Sequence, residues 1–216
     1  IANGCGQILF LLIPFAMYLI AFSPCLSNML KSARMSSEDV QMLSTYIAWL
    51  SVSLPFYGVC TYLQKACSSL RKMSLFAIAE CIAGAIQIVI CLVFTPIFGF
   101  NIVGISSTFF FVAIDAVTFV ILRHELGRIG FKSIFASGVR ALVLGAVGAL
   151  VGAGILMLLQ MLVGPIAGGG MMRSLLYCIV GGVPALIVTF GFAISRQMPE
   201  VAVLSAMVKR FIPRRA

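Results

Sequence analysis

Six long apolar stretches make up most of this chain, and the basic residues between them fall almost entirely into alternate connections. An apolar run of about 20 residues crosses the hydrocarbon core of a bilayer as a helix. The stretches lie near 7–30, 39–64, 73–97, 101–123, 134–163 and 172–195. Six of them within 216 residues leave little chain for a soluble domain. The expected fold is therefore all-α, a polytopic transmembrane bundle of about six helices. The fifth stretch is long enough to tilt or to project beyond the bilayer.

Composition points the same way. The chain is 62% hydrophobic and 10% charged, whereas a soluble domain carries about 25% charged residues. A net charge of +9 would suggest a nucleic-acid partner in a soluble protein. Here the charges sit in connections and in the tail, so no nucleic acid is expected and membrane lipids are.

The basic residues also set an orientation. One side holds Lys65, Arg71, Lys72, Arg123, Arg128, Lys132, Arg140, Arg196, Lys209, Arg210, Arg214 and Arg215, twelve in all, and the other holds only Lys31, Arg34 and Arg173. Basic loops stay in the cytoplasm, so both ends of the chain are expected there. The first residue is Ile1 and no charged segment precedes the first stretch. The expectation is a fragment of a longer protein rather than a chain with a signal peptide.

Proline and glycine mark the joints. Pro14 and Pro24 lie in the first stretch, Pro55 in the second and Pro184 in the sixth, each an invitation to kink. The turn Phe98-Gly99-Phe100-Asn101 is so short that the third and fourth helices must form an antiparallel hairpin. Gly148 and Gly152 form a GxxxG pair, which permits close helix approach either within the chain or at a dimer seam. The seven cysteines show no zinc spacing and no disulfide framework. They read as small apolar filler.

Beyond Pro199, residues Val201, Leu204, Met207, Val208 and Phe211 recur at helical spacing. With Lys209, Arg210, Arg214 and Arg215 they suggest an amphipathic helix whose cations contact anionic lipid at the inner surface. An ordinary solvated flank is the alternative.

Two acids fall within the stretches, Glu80 and Asp115. Each lies seven or eight residues in from the basic side, roughly 10–12 Å deep. Such groups are costly unless paired or hydrated. They could face a water-filled cavity, share a proton, or pair with Lys65, Arg71 or Lys72 as structural contacts. Gln87, Ser106, Ser107 and Thr108 lie along the same hairpin. Glu80, Asp115, Gln87 and Ser107 are the candidate transport or coupling residues. The lone histidine, His124, stands in a basic loop without a catalytic partner. No phosphate-binding loop, zinc-protease motif or nucleophile elbow occurs, so neither an enzyme, a metal nor a cofactor is expected. Na+ or H+ coupling stays open.

With these features placed, the chain resembles the C-terminal portion of the MviN/MurJ family, lipid II flippases of the multidrug/oligosaccharidyl-lipid/polysaccharide exporter superfamily. The proline-bearing segment Leu12-Ile13-Pro14-Phe15-Ala16 looks like the family helix that opens this region. Met29 to Asp39 is similar to its "LFxxGxFxxxD" loop, with Ala33 and Met35 in place of Gly and Phe. The run Tyr46 to Pro55-Phe56-Tyr57 resembles its "YxxGLP" helix, and Lys65 to Lys72 stands at its basic junction. Gly99-Phe100-Asn101-Ile102-Val103-Gly104-Ile105-Ser106-Ser107 resembles its "GxxGxAxAT" turn. Gln87 and Cys91 stand where relatives often have Asn and an acid.

The resemblance implies the last six of about fourteen helices. Residues 1–130 would complete the second lobe of a two-lobe transporter, 131–196 would add two helices along a lipid-facing groove, and 197–216 would form the cytoplasmic tail. It implies a lipid-linked saccharide substrate, lipid II, moved from inner to outer leaflet of the bacterial cytoplasmic membrane by alternating access. Implied partners are the N-terminal lobe of the same protein and the cell-wall synthesis machinery. Alternatives are a polysaccharide-lipid flippase, a multidrug or cation antiporter of the same superfamily, or a non-transporting membrane scaffold.

Overall fold

A computed structural model describes residues 2–31, 34–127, 130–166 and 170–196. These residues form helices and short connections, with no strand among them. The helices are α1 (Ala2–Ala21), α2 (Ser23–Met29), α3 (Ser37–Ser69), α4 (Met73–Phe98), α5 (Ile102–Leu126), α6 (Phe131–Val163) and α7 (Met171–Ser195). Among the described residues, five stretches are long and apolar enough to cross a membrane: Ala2–Ala21, Ser37–Ser69, Met73–His124, Lys132–Val163 and Met171–Ser195. Large apolar side chains lie open along them, among them Met161 at 84% and Leu162 at 81% exposure. A soluble surface does not tolerate so continuous an apolar cover, so the chain is a membrane protein.

The first apolar stretch is not one kinked helix. α1 runs through Pro14 without a break, then stops at Ala21, and α2 starts anew at Ser23. Pro24 has no N–H to continue the α1 ladder and suits the first turn of a new helix. The joint residue Phe22 keeps its N–H on the carbonyl of Tyr18 at 2.8 Å and receives the N–H groups of Cys25 and Leu26 at 3.0 Å.

α3 opens with a capping box. Ser36 Oγ accepts from the N–H of Asp39 at 3.1 Å, and Asp39 Oδ2 accepts from the N–H of Ser36 at 2.8 Å, which satisfies two donors that a helix start leaves free. Pro55, Pro96 and Pro184 lie inside α3, α4 and α7 without ending them. α3 and α6 each have 33 residues, roughly 50 Å at 1.5 Å per residue.

The stretch Met73–His124 is folded on itself. A 3₁₀ turn, Gly99–Asn101, reverses it, with Gly99 at φ 58°, a value that glycine takes without strain. The register then sets Gln87 against Ser107, and Gly84 against Phe110, whose ring would lie 3.9 Å from a methyl added at Gly84. This is the antiparallel hairpin expected from the shortness of the turn.

Helix α1 is the centre of the bundle. It packs on α6 and α3, α3 on α5, α5 on α4, and α6 on α7, while α2 bridges α3 and α7. At one end Cys5, Leu63, Phe76, Ile114, Leu122 and Ile134 form a core. At the other, Tyr18, Phe22, Cys25, Leu156, Tyr177 and Ala185 form a second. Cys5, Cys25, Cys60 and Cys67 are buried, and all seven cysteines are free thiols.

The GxxxG pair works within the chain. A methyl group on Gly148 would collide with Thr189 Oγ1 and lie 2.6 Å from Tyr18 Oη. One on Gly152 would meet Ala185 and Phe22 at 3.1 Å. The missing side chains thus let α6 sit against α7 and α1 together.

Candidate functional site

A groove of about 720 Å³ is bounded by α1, α3, α5 and α6. Leu9, Ile13 and Met17 come from α1, and Val52, Pro55 and Phe56 from α3. Val112, Asp115 and Phe119 come from α5, and Phe135, Val139 and Leu142 from α6. α1 and α3 form its floor because they pack on each other, while α5 and α6 stand as its walls on α3 and α1 respectively. The lining is apolar except for Asp115. A volume of several hundred Å³ with one polar group is the ordinary make-up of a small-molecule pocket.

Asp115 is 6% exposed. Its Oδ1 is sealed from solvent and has no hydrogen-bond partner among the described residues. One turn away, Thr118 is fully buried with its hydroxyl in the same condition. An ionised carboxylate held this way costs several kcal/mol, so the site gains from anything that neutralises it.

Glu80 is placed differently. The hairpin register sets it level with the Ile114–Asp115 turn, as the equal depths read from sequence require, yet its side chain is exposed on α4 and it does not line the groove. The two acids therefore do not share one pocket.

Gln87 and Ser107 do come together. Gln87 Nε2 donates to Ser106 Oγ and Ser107 Oγ, both at 3.4 Å, and Cys91 Sγ meets Ser106 Oγ at 3.2 Å. Ser107 Oγ donates to the carbonyl of Val103 at 2.7 Å, and Ser106 Oγ to the same carbonyl at 3.1 Å. This is a neutral seam holding α4 to α5. It contains no carboxylate, and Asp115 lies eight residues further along α5, roughly 12 Å. The four candidate coupling residues thus separate into a neutral seam, an exposed acid and an acid in a groove.

Sequence reading missed a second polar feature, the clasp that binds α1 and α2 to α6 and α7. Tyr18 Oη donates to the carbonyl of Ala185 at 3.0 Å and is hydrogen-bonded to Thr189 Oγ1. Asn28 Nδ2 donates to the carbonyl of Ile166 at 3.1 Å and to Ser174 Oγ at 2.8 Å. Tyr177 Oη donates to the carbonyl of Gly164 at 2.8 Å, at the end of α6. Cys25 of α2 and Cys178 of α7 pack in the same core. The usable signal was the presence of Tyr18, Asn28 and Thr189 in otherwise apolar stretches, since such groups need partners in lipid.

Lys209, Arg210, Arg214 and Arg215, the expected lipid contacts of the tail, lie outside the described residues. Among the described residues no cluster of His, Cys, Asp or Glu could hold a metal. Compared with known proteins, the chain matches no family model and no curated protein.

Proposed function

We propose that this chain is part of a transporter that moves a lipid-linked peptidoglycan precursor, lipid II, from the inner to the outer leaflet of the bacterial cytoplasmic membrane by alternating access. The observation that carries the reading is the apolar groove of about 720 Å³ between α1, α3, α5 and α6. Such a groove suits the polyprenyl tail of a substrate whose polar head must pass elsewhere. Lipid tails are as apolar as the groove, so it guides the chain by shape rather than holding it tightly. Among the described residues no Lys or Arg lines it, so in this reading the pyrophosphate and sugars are met by another part of the transporter.

In this reading α4 and α5 cross separately, giving six crossings with both ends cytoplasmic. Residues 1–130 belong to the second of two lobes, and α6 and α7 are an added pair, of which α6 builds one groove wall. The partner is the N-terminal lobe of the same protein, and alternating access is rocking of the two lobes about a shared cavity. The basic residues of 197–216 anchor the tail to anionic lipid.

The test is depletion of the protein in its host. An external enzyme that cleaves only outward-facing lipid II then reports which leaflet holds the precursor. Accumulation of protected, inward-facing precursor is the expected result. Normal exposure under verified depletion, with no second flippase present, removes the reading.

A further inference from the structure

Asp115 is out of keeping with a groove that only guides hydrocarbon. A polyprenyl chain offers it nothing, and a pyrophosphate would be repelled by it. We propose that the groove between α1, α3, α5 and α6 is a binding site for lipophilic monovalent cations, whose charge pairs with Asp115 and whose apolar body fills the groove.

Three observations converge on this class of ligand. Asp115 is more than nine-tenths buried, and among the described residues its Oδ1 has no partner and no other ionisable residue lines the groove. A cation entering the groove supplies the missing partner. Phe56, Phe119 and Phe135 line the same groove, and aromatic faces attract cations as well as apolar groups. The volume of about 720 Å³ admits a body of drug size, within the 300–1,000 Å³ typical of such pockets. A hydrated metal ion is excluded by the same lining, because only one oxygen-bearing side chain is present where such an ion needs several. The ligand is thus an organic cation that sheds its water cheaply, such as a phosphonium or a quaternary ammonium with apolar substituents. It arrives through the bilayer, where it already partitions.

The inference is independent of the flippase reading, since it concerns what the groove binds and not what the protein moves. Its consequence for that reading is competition: a bound cation occupies the path proposed for the polyprenyl tail.

The test uses an isosteric pair of opposite charge, tetraphenylphosphonium and tetraphenylborate. Binding is measured at equilibrium to the purified full chain in nanodiscs, with empty nanodiscs subtracted. Expected are saturable binding of tetraphenylphosphonium at one site and no saturable binding of tetraphenylborate. Asp115→Asn should weaken the cation roughly 30-fold or more, the usual result of removing one partner of a desolvated charge pair. Gly138→Leu gives a second variant that leaves the charge in place. A methyl at Gly138 would stand 3.9 Å from Ile13 and Leu9, ordinary contact, and the rest of a leucine side chain would extend from there among the groove-lining residues. It should abolish saturable binding while the thermal unfolding of the protein is kept. Three results would each overturn the proposal: phosphonium uptake no greater than in empty nanodiscs, equal binding of the borate, or binding unchanged by Gly138→Leu. Undiminished binding in folded Asp115→Asn would do the same.

Discussion

Replacing Gly148 by alanine adds one methyl group at the most crowded point of the bundle. That methyl would collide with Thr189 Oγ1, stand 2.6 Å from Tyr18 Oη and lie 3.1 Å from the carbonyl oxygen of Ala185. All three atoms belong to one hydrogen-bonded knot, in which Tyr18 and Thr189 both reach the Ala185 carbonyl at 3.0 Å. Either α6 must back away from α7 or the knot must open. Overpacking of this kind costs about 1–3 kcal/mol, and each interhelical hydrogen bond lost within a membrane about 0.6 kcal/mol. Alanine returns about 0.8–1 kcal/mol through its better helix propensity. The net loss is about 1–3 kcal/mol. Gly154 lies on the same helix, exposed, with nothing within 4 Å of an added methyl. Gly154→Ala therefore keeps only the propensity gain and should be neutral or up to about 1 kcal/mol more stable. The assay is equilibrium unfolding of the purified protein in mixed micelles with a denaturing detergent, followed by far-ultraviolet circular dichroism. Thr189→Ala removes the atom nearest the clash, so it should recover part of the Gly148→Ala loss, with a coupling of about 0.5–3 kcal/mol. A Gly148→Ala protein as stable as Gly154→Ala would refute the close approach of α6 to α1 and α7.

Tyr177 is 1% exposed and its hydroxyl closes the end of α6 on the carbonyls of Gly164 and Leu159. Tyr177→Phe should cost about 1 kcal/mol and speed hydrogen exchange in the last turn of α6 while leaving α4 and α5 unchanged; uniform exchange in both proteins would contradict the contact. Mild oxidation with a copper–phenanthroline catalyst and oxygen should join Cys25 to Cys178, which pack in one core, and mass spectrometry of the digest would identify the bridge. Recovery of other pairs but not this one would mean that α2 does not dock on α7 as described.

The helices themselves were legible in the sequence. Apolar length placed five of the six stretches each on one long helix, as with Met73–Phe98 and Met171–Ser195, because a chain in lipid must satisfy its backbone within the helix. The short Gly99 turn announced the hairpin. The first stretch was the exception. Pro14 and Pro24 look alike in sequence, yet only the second stands at a break, where α2 turns to dock on α3 and α7. The tertiary structure alone decided which side of each helix faces what. In water a polar stripe marks the outer face of a helix, but in lipid both the packed and the open faces are apolar. Hydropathy therefore could not tell that Asp115 closes a groove while Glu80, level with it, lies open. Nor could it tell that Gly148 meets Thr189 and Tyr18 from distant parts of the chain rather than a second copy. Those facts depend on the order in which the helices pack, and that order is set by small residues and a few hydrogen bonds whose partners lie far apart in the sequence.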